Sequence, residues 1–307
     1  MMSGNKFFTL LRALRVNQWI KNLVVFTAII FSGNLFVTEA FLQTTYAFFV
    51  LCFLSSTSYV LNDIIDYKYD RKHPIKKLRP IASGSITIPE ATFIVFILTL
   101  VSLIASLFFS LPFFFLSLVF ILLHFFYSLY LKRKPVIDIF TISFSFMIRT
   151  LAGEVVTGYH IPIWLLYTIF FGSLFMATVK RHAELVAHGS QARASLDQYK
   201  EHMLDFLTNT FATGTILAYA FFTYVDRPPQ IRTFFSESIS NLIPTFEVRR
   251  WMMTTIPLIV YGISRYAQLL YEREEGERPE KIVTTDRPLI FTMFLWGLIV
   301  IGIIYVF

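Results

Sequence analysis

Residues 91–131 read ATFIVFILTLVSLIASLFFSLPFFFLSLVFILLHFFYSLYL, a run of 41 positions without Asp, Glu, Lys or Arg. A helix needs about 20 mostly apolar residues to cross the hydrocarbon core of a bilayer. The run is long enough for two crossings, and Pro112 stands close to where the second begins. Proline is tolerated in a first helical turn, where its missing N–H would be unpaired anyway. The apolar character is continuous, not an alternation over ten-residue segments, so helices are predicted and not barrel strands.

The same pattern extends along the chain. Residues 155–179 form an uncharged run of 25, and residues 40–62, 206–225 and 288–307 carry no charge either. Of the 307 residues, 55% are hydrophobic, 15% are charged and 35 are Phe. A soluble domain carries roughly 25% charged residues, so an ordinary cytosolic enzyme and a disordered chain are both excluded. Nine spans are predicted, at about 19–37, 40–61, 89–110, 113–131, 136–156, 162–179, 203–225, 251–271 and 288–307. The expected fold is an all-α polytopic membrane protein, a single domain over 1–307 in the cell membrane. With the N-terminus inside, 21 of the 27 Lys and Arg fall in inner segments and four in outer ones. Cytoplasmic loops gather basic residues, so the orientation is read as N-in, C-out. The same bias explains the net charge of +7 without a nucleic-acid partner. Cys52 is the single cysteine, so neither an internal disulfide nor a cysteine zinc site is expected. No removable signal peptide is evident, since no small-residue cleavage site follows the first apolar stretch. A polar inner loop recurs after the second and sixth spans and hints at two related four-helix halves.

Asn62-Asp63-Ile64-Ile65-Asp66-Tyr67-Lys68-Tyr69-Asp70 directly extends the second span. Asn62, Asp66 and Asp70 recur at i, i+4 and i+8, which places them on one helical face with Asp63 beside it. Like charges so close repel, and a hard divalent cation is one reason to keep them. Mg²⁺ takes oxygen ligands, keeps several waters and often uses one or two carboxylates plus substrate phosphates. The alternative is a solvated helix end with incidental acids. Ionisable groups at membrane depth are costly and usually functional, which favours metal and diphosphate binding. Lys72, Lys76 and Lys77 follow the positive-inside bias. Arg71 directly follows Asp70, and Arg79 opens the turn-like stretch Arg79-Pro80-Ile81-Ala82-Ser83-Gly84, where a guanidinium and backbone N–H groups could meet a phosphate.

Asn62–Asp70, followed by Arg79-Pro80 and Ser83-Gly84, resembles the first aspartate motif of the UbiA superfamily of intramembrane prenyltransferases. The resemblance implies nine helices and a diphosphate held through Mg²⁺, with Mn²⁺ as an alternative ion. Arg15-Val16-Asn17-Gln18-Trp19-Ile20-Lys21-Asn22 is similar to the start of one branch, the decaprenyl-phosphate phosphoribosyltransferases. So are Lys180-Arg181-His182-Ala183-Glu184-Leu185, Ser195-Leu196-Asp197-Gln198-Tyr199, and Arg265-Tyr266 with Asp286-Arg287-Pro288-Leu289. That branch implies phosphoribosyl diphosphate and a polyprenyl phosphate as substrates, and arabinose-containing envelope polymers as the destination.

Ordinary members of the superfamily carry a second Asp-rich motif after the sixth span, where this chain has Lys180, Arg181 and Glu184. A Lys/Arg pair binds phosphate directly and needs no metal. The expectation is therefore one metal cluster, with Asn62, Asp63, Asp66 and Asp70 as ligands and Asn62, Asp66 and Asp70 as the catalytic set. Lys180, Arg181 and Arg71 are candidates for the donor's 5-phosphate. Lys21 is either a phosphate contact or a snorkelling anchor beside Trp19. Arg149, with Asp138 and Glu154, is predicted within a span, where a buried ion is costly unless paired. It is read equally as structural pairing or a substrate contact. Arg265 lies near enough to the loop 272–287 to reach a phosphate. Tyr127, Tyr130, Tyr167, Tyr219 and Tyr224 are read as packing. No His or Cys nucleophile stands out. Two other functions are weighed: a conventional prenyltransferase, which would carry two acidic clusters, and a transporter, which would show broken helices at the bilayer midplane. Homo-oligomerisation is left open. The site is expected to open to the cytoplasmic interface.

Overall fold

The computed structural model describes residues 6–73, 75–188, 201–226, 250–272 and 285–306, and all regular structure among them is helical. The helices are α1 (Lys6–Leu14), α2 (Thr27–Phe31), α3 (Thr38–Ile65), α4 (Tyr67–Asp70), α5 (Ile88–Phe109), α6 (Leu111–Leu129), α7 (Ile137–Thr157), α8 (Ile163–His188), α9 (Glu201–Val225), α10 (Ile256–Glu272) and α11 (Arg287–Tyr305). Six among the described residues are long and apolar enough to cross a membrane: α3, α5, α6, α7, α8 up to Leu185, and α11. The expected first span is instead a 3₁₀ run, Val16–Phe26, that continues into α2. Runs longer than three or four residues are uncommon for this tighter helix.

Local chemistry sets the boundaries. Ser110 divides the 41-residue apolar run: its side chain accepts the Phe113 N–H at the start of α6, with Pro112 in the first turn. Thr87 and Glu90 form a capping box at the start of α5, with Pro89 behind it. The outer faces of these helices are apolar and open, Phe93, Phe96 and Phe108 among them, with Phe108 86% exposed. A lipid environment accepts such a surface, whereas water would penalise it.

The chain divides into two compact units. The first comprises Met1–Ala28, Val37–Lys132 and Ile148–Tyr159. Its main core packs Val25, Leu51, Leu54, Phe113, Phe120 and Ala152. Gly153 lets the backbone of the 3₁₀ run lie against α7, because a Cβ there would stand 2.0 Å from the Val25 carbonyl oxygen. A smaller core of Ala13, Val60, Ile81, Ile86 and Ala91 ties α1 and the 79–87 stretch to the end of α3. The turn in that stretch uses Gly84 at φ 81°, a left-handed conformation that glycine adopts readily.

The second unit comprises Ile29–Phe36, Arg133–Met147 and His160–Phe307. Ile139, Leu174, Phe175, Leu204, Phe211 and Tyr266 form its core. Tyr219 is buried there, bonded to Thr255 at 2.6 Å and accepting the Trp296 indole N–H at 2.8 Å.

Candidate active site

The end of α3 gathers the first unit's charge. The helix stops at Ile65, Asp66 adopts φ −87° and ψ 1°, and α4 resumes at Tyr67. The expected single helical face therefore has a break in it at Asp66. The amide bonds from Asp66 to the Asn62 carbonyl and from Asp70 to the Asp66 carbonyl, both 2.9 Å, carry the i, i+4 relation across that break.

Each carboxylate has a cationic partner. Asp63 is only 3% exposed, and its Oδ1 accepts from Arg15 Nη2 at 2.6 Å and from Arg79 Nη1 at 3.0 Å. The same Arg79 nitrogen donates to Asp70 Oδ2 at 2.7 Å. Asp66 Oδ1 lies 2.6 Å from Lys132 Nζ, which also donates to Asn62 Oδ1 at 3.0 Å. The Asn62 carboxamide closes this group by donating to Asp66 Oδ2 at 3.0 Å. Arg71 is exposed, donates to the Tyr67 hydroxyl at 3.1 Å and stacks over its ring.

Arg15 reaches Asp63 from an unusual backbone. It sits at φ 51° and ψ 49°, left-handed and costly for a residue with a side chain. Ala13 anchors α1 in the small core, and the Arg15 guanidinium stacks 5.0 Å from the Tyr59 ring centroid. Packing and ion pairing together hold the strained residue in place.

Below this layer, Arg149 is buried. Its Nε donates to Asn22 Oδ1 at 2.7 Å, and its guanidinium lies 4.8 Å from the Phe120 ring centroid. Asn22 also accepts from Ser55 and donates to Cys52 Sγ. Lys21, next to Asn22, is half-buried.

In the second unit, Arg181 is 2% exposed. Its Nε donates to the fully buried Asp138 at 2.7 Å and its Nη1 to Glu184. Lys180 beside it is half-buried. Arg265 forms a two-pronged pair with Asp286, at 2.9 and 3.3 Å, and Asp286 also caps α11 through the Leu289 N–H. Arg265-Tyr266 and Asp286–Leu289, far apart in sequence, thus meet through this pair. Ser195–Tyr199 lies outside the described residues.

The family model for "UbiA prenyltransferase family" matches residues 23–191. The chain belongs to the UbiA prenyltransferase family. Among curated proteins, this UbiA chain is 32% identical to the decaprenyl-phosphate phosphoribosyltransferase of Mycolicibacterium smegmatis, over 94% of the chain and 89% of the relative. It is 30% identical to the protein of the same name from Corynebacterium glutamicum, over 97% of the chain and 87% of the relative. Its fold matches a UbiA homolog from Archaeoglobus fulgidus solved with GPP and Mg²⁺, with a TM-score of 0.69 at 19% identity, covering 96% of this chain and 99% of that one.

For the UbiA chain's predicted site, the structure brings Asn62, Asp63, Asp66, Asp70 and Arg79 together within the first unit. Arg71 lies on the adjoining helix end. Arg149 pairs with Asn22 there, whereas Asp138, three turns away on the same helix, pairs with Arg181 in the second unit. Lys132 and Arg15 are the residues that sequence reasoning passed over. Lys132 counts as one more positive-inside lysine until the fold brings it 70 residues back to Asn62. Arg15 opens the Arg15–Asn22 motif, yet nothing local signals its bond to Asp63.

The donor set suits a hard cation. Three carboxylates and a carboxamide supply only oxygen, and Mg²⁺ commonly uses one or two carboxylates with substrate phosphates and water. Among the described residues, no three His, Cys, Asp or Glu side chains form a ready-made cage. The carboxylates are instead engaged by Arg15, Arg79 and Lys132.

Proposed function

We propose that this chain transfers a 5-phosphoribosyl group from phosphoribosyl diphosphate to a polyprenyl phosphate and releases diphosphate. The observation that carries this reading is the likeness, over nearly the whole chain, to relatives named decaprenyl-phosphate phosphoribosyltransferase. A second observation favours it over a conventional prenyltransferase. Where a second acidic motif would stand, Lys180-Arg181-Glu184 is found, with Arg181 bound to Asp138 and Glu184.

In the reaction, the bond from the anomeric carbon to the diphosphate oxygen breaks, and one forms from an oxygen of the lipid phosphate. The electron pair of the broken bond leaves with the diphosphate. The lipid phosphate is already an anion at neutral pH, so no side chain need remove a proton from it. Asp66, Asp70 and Asn62 would hold Mg²⁺, or Mn²⁺ in its place, which supplies positive charge to the leaving diphosphate. Arg79 and Lys132 lie within the same cluster and supply fixed cations to phosphate oxygens. Arg71, exposed at its edge, is assigned the 5-phosphate. Arg181 is already committed to two carboxylates, and a phosphate would have to compete with both.

The chain works, in this reading, as one integral membrane domain of nine spans, N-in and C-out. Val16–Phe31, α9 and the stretch from Trp251 to Glu272 complete the nine beside the six long apolar helices. The acidic cluster then faces the cytoplasm, where a water-soluble donor can meet an acceptor whose tail stays in the bilayer. Reconstituting the purified chain with labelled donor, Mg²⁺ and polyprenyl phosphate tests the assignment. Label should enter the lipid, and labelled prenyl groups from a prenyl diphosphate should not be transferred to an aromatic acceptor.

A further inference from the structure

The three aspartates at the end of α3 are matched by three cations. Arg15, Asp63, Arg79 and Asp70 form one continuous chain of ion pairs, and Lys132, Asp66 and Asn62 a second. Asp66 has both oxygens engaged, Oδ1 by Lys132 and Oδ2 by Asn62. A divalent cation arriving alone therefore meets a neutral cluster and not an acidic one. To take it, Asp66 must release Lys132, which is itself buried. A buried ammonium left without a partner is costly. A diphosphate arriving alone meets the same neutral cluster, because Arg79 and Lys132 remain bound to its carboxylates.

We propose that Lys132 and Arg79 make the divalent cation and the diphosphate bind only as a pair. Both side chains exchange a carboxylate for a phosphate oxygen in the same event, so neither the cations nor the acids are left uncompensated. Asp63 stays outside the exchange. Its Oδ1 carries both arginines, and Arg15 is fixed by the Tyr59 ring. Besides meeting the phosphate, Lys132 thus keeps the empty cluster from collecting metal ions. The inference rests on the functional reading above, and it adds a coupling between cation and diphosphate that the reading does not contain.

The test uses the purified full chain in detergent and Mn²⁺ as the probe, with free Mn²⁺ followed by its paramagnetic resonance signal. With the donor's own chelation of Mn²⁺ measured without protein and subtracted, the wild type should bind Mn²⁺ poorly alone and tightly once phosphoribosyl diphosphate is present. Lys132→Met should bind Mn²⁺ alone more tightly by about tenfold or more, within the usual range for coupled sites. It should also gain less when the donor is added. Lys132→Gln, which keeps a hydrogen-bonding group towards Asn62, provides a second variant with the same expected direction. Equal Mn²⁺ affinity without donor in the wild type and both variants overturns the exchange and leaves the functional reading standing. No Mn²⁺ binding by the wild type even with donor overturns the metal assignment, and the exchange with it.

Discussion

The pair formed by Asp138 and Arg181 gives a quantitative test, because the sequence assigns Arg181 to a phosphate and the fold buries it against carboxylates. Asp138 is fully buried, its Oδ2 is 2.7 Å from Arg181 Nε, and its Oδ1 accepts the Ile139 N–H at 2.9 Å. Removing one partner of a buried ion pair costs about 3–5 kcal/mol. Glu184 remains beside the guanidinium in Asp138→Ala, so the lower end, about 3 kcal/mol, applies. On the scaling of unfolding entropy with chain length, 1 kcal/mol moves the midpoint of a chain this size by about 2 °C. The single variant should therefore melt about 6 °C below the wild type. Replacing a buried pair by apolar residues of similar volume is often neutral or stabilising. Asp138→Leu combined with Arg181→Met should then recover to within about 2 °C of the wild type. Thermal midpoints of wild type, Asp138→Leu, Arg181→Met and the double variant, in one detergent, give the coupling directly. Additive losses, with the double variant less stable than either single one, would refute the pairing. A double variant that is stable yet needs far more donor would return Arg181 to the substrate.

Asp66→Ala and Asp70→Ala should each abolish transfer while the protein still inserts in membranes; full activity in both variants, with insertion checked by fractionation, would remove the acidic cluster from the mechanism. Lys180→Ala should raise the apparent KM for phosphoribosyl diphosphate more than that for the lipid, and steady-state kinetics with each substrate varied in turn shows the split. Gly153→Ala places a methyl 2.0 Å from the Val25 carbonyl, so the 3₁₀ run must shift. Overpacking of this kind costs about 1–3 kcal/mol, which a lowered midpoint in the same melting assay would register.

Much of this architecture is legible from where charge is missing. The uncharged runs mark α3, α5, α6, α8 and α11 because the bilayer imposes a length and an apolar composition on each crossing, whereas α7 is apolar around Asp138, Arg149 and Glu154. The division at Ser110 follows from Pro112 and a serine cap. The first expected span is less regular than its composition suggests, since close packing against Gly153 accompanies a 3₁₀ run that hydropathy does not encode. The acids of the site are legible because Asp63, Asp66 and Asp70 recur at short spacing beside an apolar run. Their partners are not. Lys132 lies in a basic loop that topology alone would explain, Arg79 stands out in sequence as a phosphate candidate but not as the partner of Asp63 and Asp70, and Arg15 meets Asp63 through a left-handed turn. Arg149 and Asp138, eleven residues apart on one helix, are too far apart to pair with each other, and each meets a residue of another element, Asn22 and Arg181, which their spacing does not reveal.

The central claim is that the cluster at the end of α3 serves phosphoribosyl transfer to a lipid phosphate. The most direct measurement incubates the purified chain with Mg²⁺, labelled phosphoribosyl diphosphate and a polyprenyl phosphate, and then partitions the label between water and organic solvent. The account predicts that label enters the lipid phase only with all three present, and that Asp66→Ala leaves it in the water. Label that stays aqueous with the wild-type chain, while a prenyl diphosphate alkylates an aromatic acceptor in the same preparation, would contradict it.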